Sequence, residues 1–171
     1  MQKEENIKQL PFFKGLKRSP ILILNSRPYR QMKTYQISSW LDGNRVGEAL
    51  KEITENYSNI IFANAIPYVE KKDGNVFDFS MHEEGLNDLR ALINRYKPGR
   101  IVAMGDIAIK MIHLVGTRYS SVNTIDIDGC DVFVYLLPDF YEVMTKNRGE
   151  IGMYKKTLET LLKGHKYGTH D

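Results

Sequence analysis

The chain has few of the residues that crosslink a protein or anchor it in a membrane. Cys130 is the only cysteine among 171 residues, which excludes an intrachain disulfide and a cysteine-rich zinc or iron–sulfur site. No apolar run is long enough to span a bilayer, and the opening Met-Gln-Lys-Glu-Glu lacks the apolar segment of a signal peptide. We therefore expect a cytoplasmic location and no membrane partner.

A strong excess of charge of one sign is also missing. The formal net charge of +3 neither requires nor excludes a nucleic-acid partner. Hydrophobic residues make up 42% and charged residues 26% of the chain, which is ordinary for a folded globular protein. Because no repeat, low-complexity segment or linker interrupts it, residues 1–171 are predicted to form a single domain, with a polar lead-in over 1–20 and a polar tail over 163–171.

The usual sequence signatures of metals and cofactors are absent as well. The histidines are scattered, and none has a spacing suited to a metal site or a catalytic triad; they are His82, His113, His165 and His170. The chain carries no glycine-rich P-loop and no dinucleotide fingerprint. We expect no metal and no cofactor.

Three short runs of consecutive apolar residues predict buried strands. They cover residues 21–24, 59–64 and 100–105, and none of them alternates apolar with polar positions. A strand that is apolar at every position is typical of a parallel sheet covered on both faces. Phe12 and Phe13, in the lead-in, are expected to pack against this sheet or to cover its edge.

A further pair of strands is predicted over residues 122–127 and 131–137. Asp128-Gly129 between them is a favoured pair for a tight turn, and Cys130 is expected to lengthen the connection. Pro138 should end the second of these strands, because proline cannot donate a backbone hydrogen bond. Residues 139–148 are then predicted to form a loop.

Apolar residues recur at helical spacing in four segments, which predicts amphipathic helices. These segments are 46–57, 86–96, 107–114 and 151–161. Ser80 and Glu83 have the spacing of a capping box at the start of the second helix. Asp106 is expected to cap the third helix and Gly116 to end it. Strands that alternate with such helices predict an α/β fold, a three-layer α/β/α sandwich with a mostly parallel central sheet.

The order of motifs resembles the uracil-DNA glycosylase superfamily from about residue 21 to residue 162. Ile-Leu-Ile-Leu-Asn-Ser-Arg-Pro-Tyr at 21–29 is similar to a buried strand that enters the family's water-activating loop, where Pro28 and Tyr29 match. Asn64-Ala-Ile-Pro-Tyr resembles the strand end whose asparagine reads the uracil edge. The segment at 92–111 resembles the family's Lys-Pro, apolar strand, Gly and Ala pattern. Leu137-Pro138-Asp139 falls where the family has His-Pro-Ser.

The resemblance implies a pocket that takes a base out of the stack and reads its Watson–Crick edge. Asn64 is the candidate for reading that edge, because one amide supplies both a donor and an acceptor. Tyr29 is a candidate pocket wall. Trp40 and Phe62 are candidates for stacking on the base, although residues of both kinds also serve as ordinary core residues.

The chain departs from the family at the positions that carry its chemistry. Arg27 stands where the resemblance implies a water-activating Asp or Asn, and an arginine stays protonated and cannot act as a base. Leu137 stands in the histidine position. Asp42 or Asp139 could replace the lost carboxylate from a neighbouring position, so both are candidate catalytic residues. If the chain is active, it is a DNA N-glycosylase.

Basic residues around two of the loops suggest phosphate contacts. Arg27 can hold a phosphate by a bidentate contact, and the full set of DNA-binding candidates is Arg27, Arg30, Lys33, Lys146 and Arg148. Residues 141–148 could insert Val143 or Met144 into a duplex as an apolar wedge, or could form a surface turn.

Three functions remain open from the sequence. The first is a divergent glycosylase-like protein that binds DNA, a base or a nucleotide between Arg27, Tyr29, Asn64 and Pro138, with uracil excision weakened or lost. The second is an active glycosylase or base-modifying enzyme for an unusual base, which uses Asp42 or Asp139. The third is a module on the inherited fold that binds a protein partner.

Overall fold

A computed structural model describes residues 9–27, 45–68, 79–116, 118–121, 124–146 and 148–167. These residues form a seven-stranded sheet with the strand order β1-β3-β2-β4-β7-β6-β5. The strands are β1 (Phe12–Lys14), β2 (Ile21–Asn25), β3 (Ile60–Asn64), β4 (Arg100–Met104), β5 (Arg118–Ser121), β6 (Thr124–Ile127) and β7 (Cys130–Leu137).

The centre of the sheet is parallel and its flanks are antiparallel. β3, β2, β4 and β7 pair in parallel, with Asn25 opposite both Asn64 and Met104. β1 joins β3 antiparallel, and β5, β6 and β7 pair antiparallel with one another. The predicted parallel centre is confirmed, whereas the sheet as a whole is mixed.

The turn between β6 and β7 is shorter than predicted. Ile127 pairs with Cys130, so Asp128 and Gly129 alone make the turn, with φ of 51° and 85°. Two central residues with positive φ give the type I′ turn that suits the twist of a hairpin. Cys130 is therefore the first residue of β7, and the prediction that it lengthens the connection was wrong.

Phe12 and Phe13, which were predicted to pack against the sheet or to cover its edge, belong to the edge strand β1. Phe12 packs toward one face, where its ring centroid lies 6.1 Å from that of Phe62. Phe13 packs toward the other, 4.9 Å from the ring of Tyr96. Three residues that alternate in this way are too few to reveal a strand by periodicity, so the sequence did not predict β1 as one.

Helices lie on both faces of the sheet. They are α1 (Arg45–Thr54), α2 (Phe79–Tyr96), α3 (Asp106–Val115), α4 (Phe140–Lys146) and α5 (Ile151–Tyr167), with a short 3₁₀ helix at Arg148–Glu150. Ile21 and Ile23 of β2 face a core shared with α1, α4 and α5. Leu22 and Leu24 face a second core shared with α2 and α3. Both faces of β2 are buried, which explains why the strand is apolar at every position.

The helix starts differ from the predictions. α2 begins at Phe79, so Ser80 lies inside the helix instead of capping it. Gly105 is the N-cap of α3 and has no side chain with which to cap it, and Asp106 is already the first helical residue, so the prediction that Asp106 caps the helix was wrong. Asp106 instead places a carboxylate in the first turn, which is favourable at the positive end of the helix dipole. Gly116 ends α3 as predicted.

Part of the segment predicted as the loop 139–148 is a helix. α4 covers seven of these residues, and Val143 is only 1% exposed within the core that α4 shares with α5. Met144 packs against the same core. The alternative of a surface turn is therefore wrong, since these residues form a helix, and Val143 is too deeply buried to form a wedge for a duplex. In the described part of the chain, no helix is long and apolar enough to cross a membrane.

Candidate functional site

The polar residues of interest gather where the parallel strands end. β2, β3, β4 and β7 end at the same edge of the sheet. The strand order reverses between β2 and β4, because β3 lies on one side of this pair and β7 on the other. The helix after β2 packs on one face, and the helix after β4 packs on the other. Ligands of open α/β sheets usually bind in the crevice at this switch point. We call it the carboxyl-end crevice, defined by Asn25, Ser26, Arg27, Asn64, Gly105 and Asp139.

Three amide side chains form a hydrogen-bonded chain along this edge. Asn25 Nδ2 donates to Asn64 Oδ1 over 3.1 Å and also to the backbone carbonyl of Arg27. Asn64 Nδ2 in turn donates to Gln9 Oε1 over 2.7 Å. Asn64 thus lies where the sequence predicted it, at the end of a strand, but it is 9% exposed and bonded to protein on both sides. A base that reads Asn64 would have to use its second N–H and second lone pair, or replace one of these bonds.

Ser26 connects two strands and a helix at the carboxyl-end crevice. Its Oγ donates to the carbonyl of Met104 over 2.9 Å and accepts the N–H of Ala108 over 3.2 Å. One hydroxyl thereby joins β2, β4 and the first turn of α3. Ser26 is not among the site residues predicted from the sequence. The only sequence feature that indicates a role for Ser26 is its position, as a small polar residue between a buried strand and Arg27.

Gly105 allows Ser26 and Asp139 to approach each other. Its φ is +92° and its ψ is 165°, a region that is essentially restricted to glycine. A Cβ at this position would lie 2.6 Å from Ser26 Oγ and 3.1 Å from Asp139 Oδ2. A side chain at position 105 would therefore displace Ser26 or Asp139 from its observed position.

Gly105→Ala is expected to lower the free energy of unfolding by about 1–3 kcal/mol from backbone strain, with a further loss from the contact with Ser26. Urea denaturation measures the change. Gly129→Ala is the matched control, because Gly129 also has a positive φ, of 85°, but a Cβ there would have no atom within 4 Å. Equal losses in the two variants would contradict the steric part of the prediction.

Asp139 is the carboxylate of the crevice. It follows β7 and Pro138, is half-buried, and its Oδ1 accepts the N–H of Glu142 over 3.1 Å, so it caps α4. Burial raises the pKa of the Asp139 carboxyl, while the hydrogen bond from Glu142 and the charge of Arg27 act in the opposite direction. A carboxyl with a raised pKa is easier to protonate near neutral pH, which is what acid–base catalysis requires.

Tyr154 helps to fix the position of Asp139 through a hydrogen bond to the preceding residue, Pro138. Its hydroxyl donates to the carbonyl of Pro138 over 2.8 Å, and its ring packs 5.2 Å from that of Phe140. Burial raises the pKa of this phenol, and the nearby charge of Asp139 raises it further. Tyr154 therefore stays protonated and serves as a fixed donor.

The structure brings Arg27 and Asp139 into the same crevice, although they are 112 positions apart in the sequence. Arg27 is exposed, and its positive charge is close enough to lower the pKa of the Asp139 carboxyl. Both residues are predicted from the sequence, Arg27 as a phosphate contact and Asp139 as a candidate catalytic residue. A guanidinium with several N–H donors and a carboxyl with a shifted pKa therefore lie at the same edge of the sheet.

Other predicted site residues lie elsewhere. Phe62 is 1% exposed in the core beside Phe12, so its ring offers no face on which a base could stack. Lys146 is exposed at the far end of α4, about 10 Å along the helix from its start, and Arg148 is exposed in the 3₁₀ helix. The remaining predictions fall outside the described residues; they are Tyr29, Arg30, Lys33, Trp40 and Asp42.

Across the described ranges, no three side chains of the His, Cys, Asp or Glu type are arranged to hold a metal ion. No protein-family model matches the chain, and no curated protein sequence does either. Only the geometry and chemistry of the carboxyl-end crevice therefore indicate a function.

Proposed function

We propose that the chain is a divergent relative of the uracil-DNA glycosylase superfamily. In this proposal it forms a three-layer α/β/α sandwich that binds DNA, or a flipped base or nucleotide, in the carboxyl-end crevice. Ordinary uracil excision is weakened or lost. The observation that carries the proposal is the convergence of Asn25, Asn64, Arg27 and Asp139 at the switch point of the parallel strands.

The chemistry of the crevice favours binding over the family's usual hydrolysis. Arg27 is exposed beside the crevice and offers five N–H donors, which suits a phosphate. It cannot activate water, because it does not release a proton at neutral pH. Leu137, in the position where the family has a histidine, supplies no donor to a departing base. Asn64, the less buried of the two strand-end asparagines, carries the donor and the acceptor that a base edge needs.

Arg27→Ala is expected to weaken the binding of short DNA oligonucleotides by about 10- to 100-fold, since a charge-assisted hydrogen bond contributes roughly 1.5–3 kcal/mol. The slope of log affinity against log salt should fall in magnitude by about one. Fluorescence anisotropy of labelled single-stranded and duplex oligonucleotides, repeated over a range of salt concentrations, measures both quantities.

Arg18→Ala is the matched control for this experiment. Arg18 is also exposed and carries the same charge, but it precedes β2 and therefore lies toward the opposite edge of the sheet. Its replacement should change affinity much less than that of Arg27. Equal losses in the two variants would place the DNA elsewhere, and an affinity that is independent of salt would exclude phosphate contacts as its basis.

A second candidate function is an active glycosylase or base-modifying enzyme for an unusual base, with Asp139 as the acid or base. The observation in its favour is the half-buried position of Asp139, where burial raises the pKa of its carboxyl beside the charge of Arg27. Incubation with oligonucleotides that carry uracil and a panel of modified bases, followed by alkaline cleavage of abasic sites, tests it. The absence of strand breaks across the panel would exclude excision by this chain.

A further inference from the structure

A groove runs along one flank of helix α2, opposite the segment that leads into β1. One wall of this α2 groove carries Leu10 and Phe13, whose side chains are 56% and 39% exposed. The other wall belongs to α2 and includes Ala91, which is exposed, and Leu92, which is half-buried. Exposed apolar side chains that share one groove, unlike those scattered singly over a surface, indicate a site of contact with another protein.

Both walls of the α2 groove are held in place by the fold. Phe13 belongs to β1, which pairs with β3, and the backbone N–H of Gln9 donates to the carbonyl of Pro67 over 2.6 Å. The ring of Phe13 lies 4.9 Å from that of Tyr96 on α2, and Leu92 packs against the core beneath the helix. A partner would therefore meet a preformed surface, so that little free energy would be lost in ordering it.

Two opposite charges flank the apolar part of α2. Asp88 and Arg95 both line the groove, and both are exposed. They are seven residues apart, which is about two helical turns or about 10.5 Å along the axis, so they lie on the same side of the helix. The guanidinium of Arg95 lies 5.4 Å from the centre of the Tyr96 ring, and a stacked guanidinium can still donate in its plane to a carboxylate. The groove thus presents an acid and a base on either side of Ala91 and Leu92.

This arrangement of charges is self-complementary. When two α2 helices pack antiparallel about a two-fold axis between Ala91 and Leu92, Asp88 of each copy faces Arg95 of the other. An interface between two identical chains requires such a pattern, because the same surface serves on both sides. Ala91 is small and lies next to the axis, so the helices can approach closely. The charge pattern therefore favours a second copy of this chain as the partner.

We propose that the chain forms a two-fold symmetric dimer through the α2 groove, with reciprocal ion pairs between Asp88 and Arg95. The ion pairs fix the antiparallel register, whereas the covering of Leu10 and Phe13 by the second copy supplies most of the affinity. One helix flank and one short segment per copy make a small interface, so we expect a weak dimer with a Kd of about 10–100 µM. The dimer does not depend on DNA binding in the carboxyl-end crevice.

Sedimentation velocity of the full chain, from about 1 µM to about 1 mM, measures the association. The sedimentation coefficient should rise from that of a monomer to that of a dimer over this range. A chain that stays monomeric throughout would overturn the proposal. Asp88→Arg and Arg95→Asp each place like charges at both ends of the interface and should each weaken the dimer at least about tenfold.

Arg90→Asp is the matched control for these variants. Arg90 is also exposed on α2, but it does not line the groove, so its replacement should leave the Kd within about twofold. Leu10→Ser tests the apolar part without a change of charge. Because Leu10 is 56% exposed, this variant should fold normally and yet dimerise at least about tenfold more weakly. An unchanged Kd for Leu10→Ser, or an equal loss for Arg90→Asp, would overturn the proposed surface.

A mixture of the Asp88→Arg and Arg95→Asp chains tests the pairing itself. Each variant alone faces its own charge across the two-fold axis, whereas a mixed dimer contains two pairs of opposite charge. The mixture should therefore dimerise at concentrations at which each variant alone is monomeric, and the double variant Asp88→Arg/Arg95→Asp should dimerise like the unmodified chain. Circular dichroism confirms that each variant is folded. Folded variants that do not associate when mixed, or a folded double variant that stays monomeric, would overturn the reciprocal ion pairs.

Discussion

Phe140→Ala is expected to lower the free energy of unfolding by about 3–5 kcal/mol, the usual range when a buried phenylalanine is truncated. The Phe140 side chain is 0% exposed and lies in the core shared by β2, β4, α1 and α5. Domains of this kind are stable by only about 5–15 kcal/mol, so the loss would be a large share of the total. Urea denaturation monitored by circular dichroism measures it.

Tyr141→Ala is the control for this prediction, because the neighbouring side chain is 41% exposed. Its truncation should lower the free energy of unfolding by no more than about 1 kcal/mol. Similar losses for Phe140 and Tyr141 would contradict the orientation of α4, whose inward face carries Phe140 and Val143. That orientation also matters for the crevice, since α4 begins directly after Asp139.

Asp139→Asn is expected to lower the rate of base release by about 10²–10⁴-fold if the second candidate function is correct, because asparagine cannot take up or release a proton as the carboxyl does. Single-turnover assays on the base that the panel identifies measure the rate. An unchanged rate would exclude Asp139 as the acid or base. Under the first proposal, in which excision is lost, the same variant should leave DNA binding intact or slightly stronger, because it removes a negative charge near the phosphates.

The stability of the same variant provides the control for folding. Asparagine caps a helix about as well as aspartate, so Asp139→Asn should keep the cap of α4, whereas Asp139→Ala should lose about 1 kcal/mol. Because burial raises the pKa of Asp139 above the ordinary 3.8, the carboxyl contributes stability below that value and loses it as pH rises through the raised pKa. Relative to the unmodified chain, Asp139→Asn should therefore gain stability as pH rises from the ordinary 3.8 through the raised pKa, and the gain should be absent below 3.8.

The central strands could be predicted because their pattern is local and complete. β2, β3 and β4 are buried on both faces, so nearly every position is apolar, and the intervening helices show one apolar face each. β5 was missed because Arg-Tyr-Ser-Ser has neither an apolar run nor a clear alternation. α4 is indicated only by Asp139 and Glu142, which have the spacing of a capping box, whereas Pro138 before them favours a loop.

Part of the site could be predicted for the same reason. Asn64 is the last residue of its strand, Arg27 and Asp139 lie two residues after theirs, and the ends of parallel strands meet at one edge. The position of a residue at a strand end does not show whether it binds a ligand, takes part in catalysis or stabilises the fold. Phe62 illustrates the limit: a strand aromatic can face a ligand or the core, and only the packing against Phe12 and α5 places it in the core.

The sequence by itself determined which segments become the parallel strands and which polar residues stand at their ends, because strand burial and strand termination are properties of consecutive residues. Only the tertiary structure decided which of those polar residues share a partner. The bond from Asn64 to Gln9, the contact of Gly105 with Ser26 and Asp139, and the effect of Arg27 on Asp139 all join distant segments. They depend on the strand order and on which face each helix covers, and those are set by the packing of the whole chain.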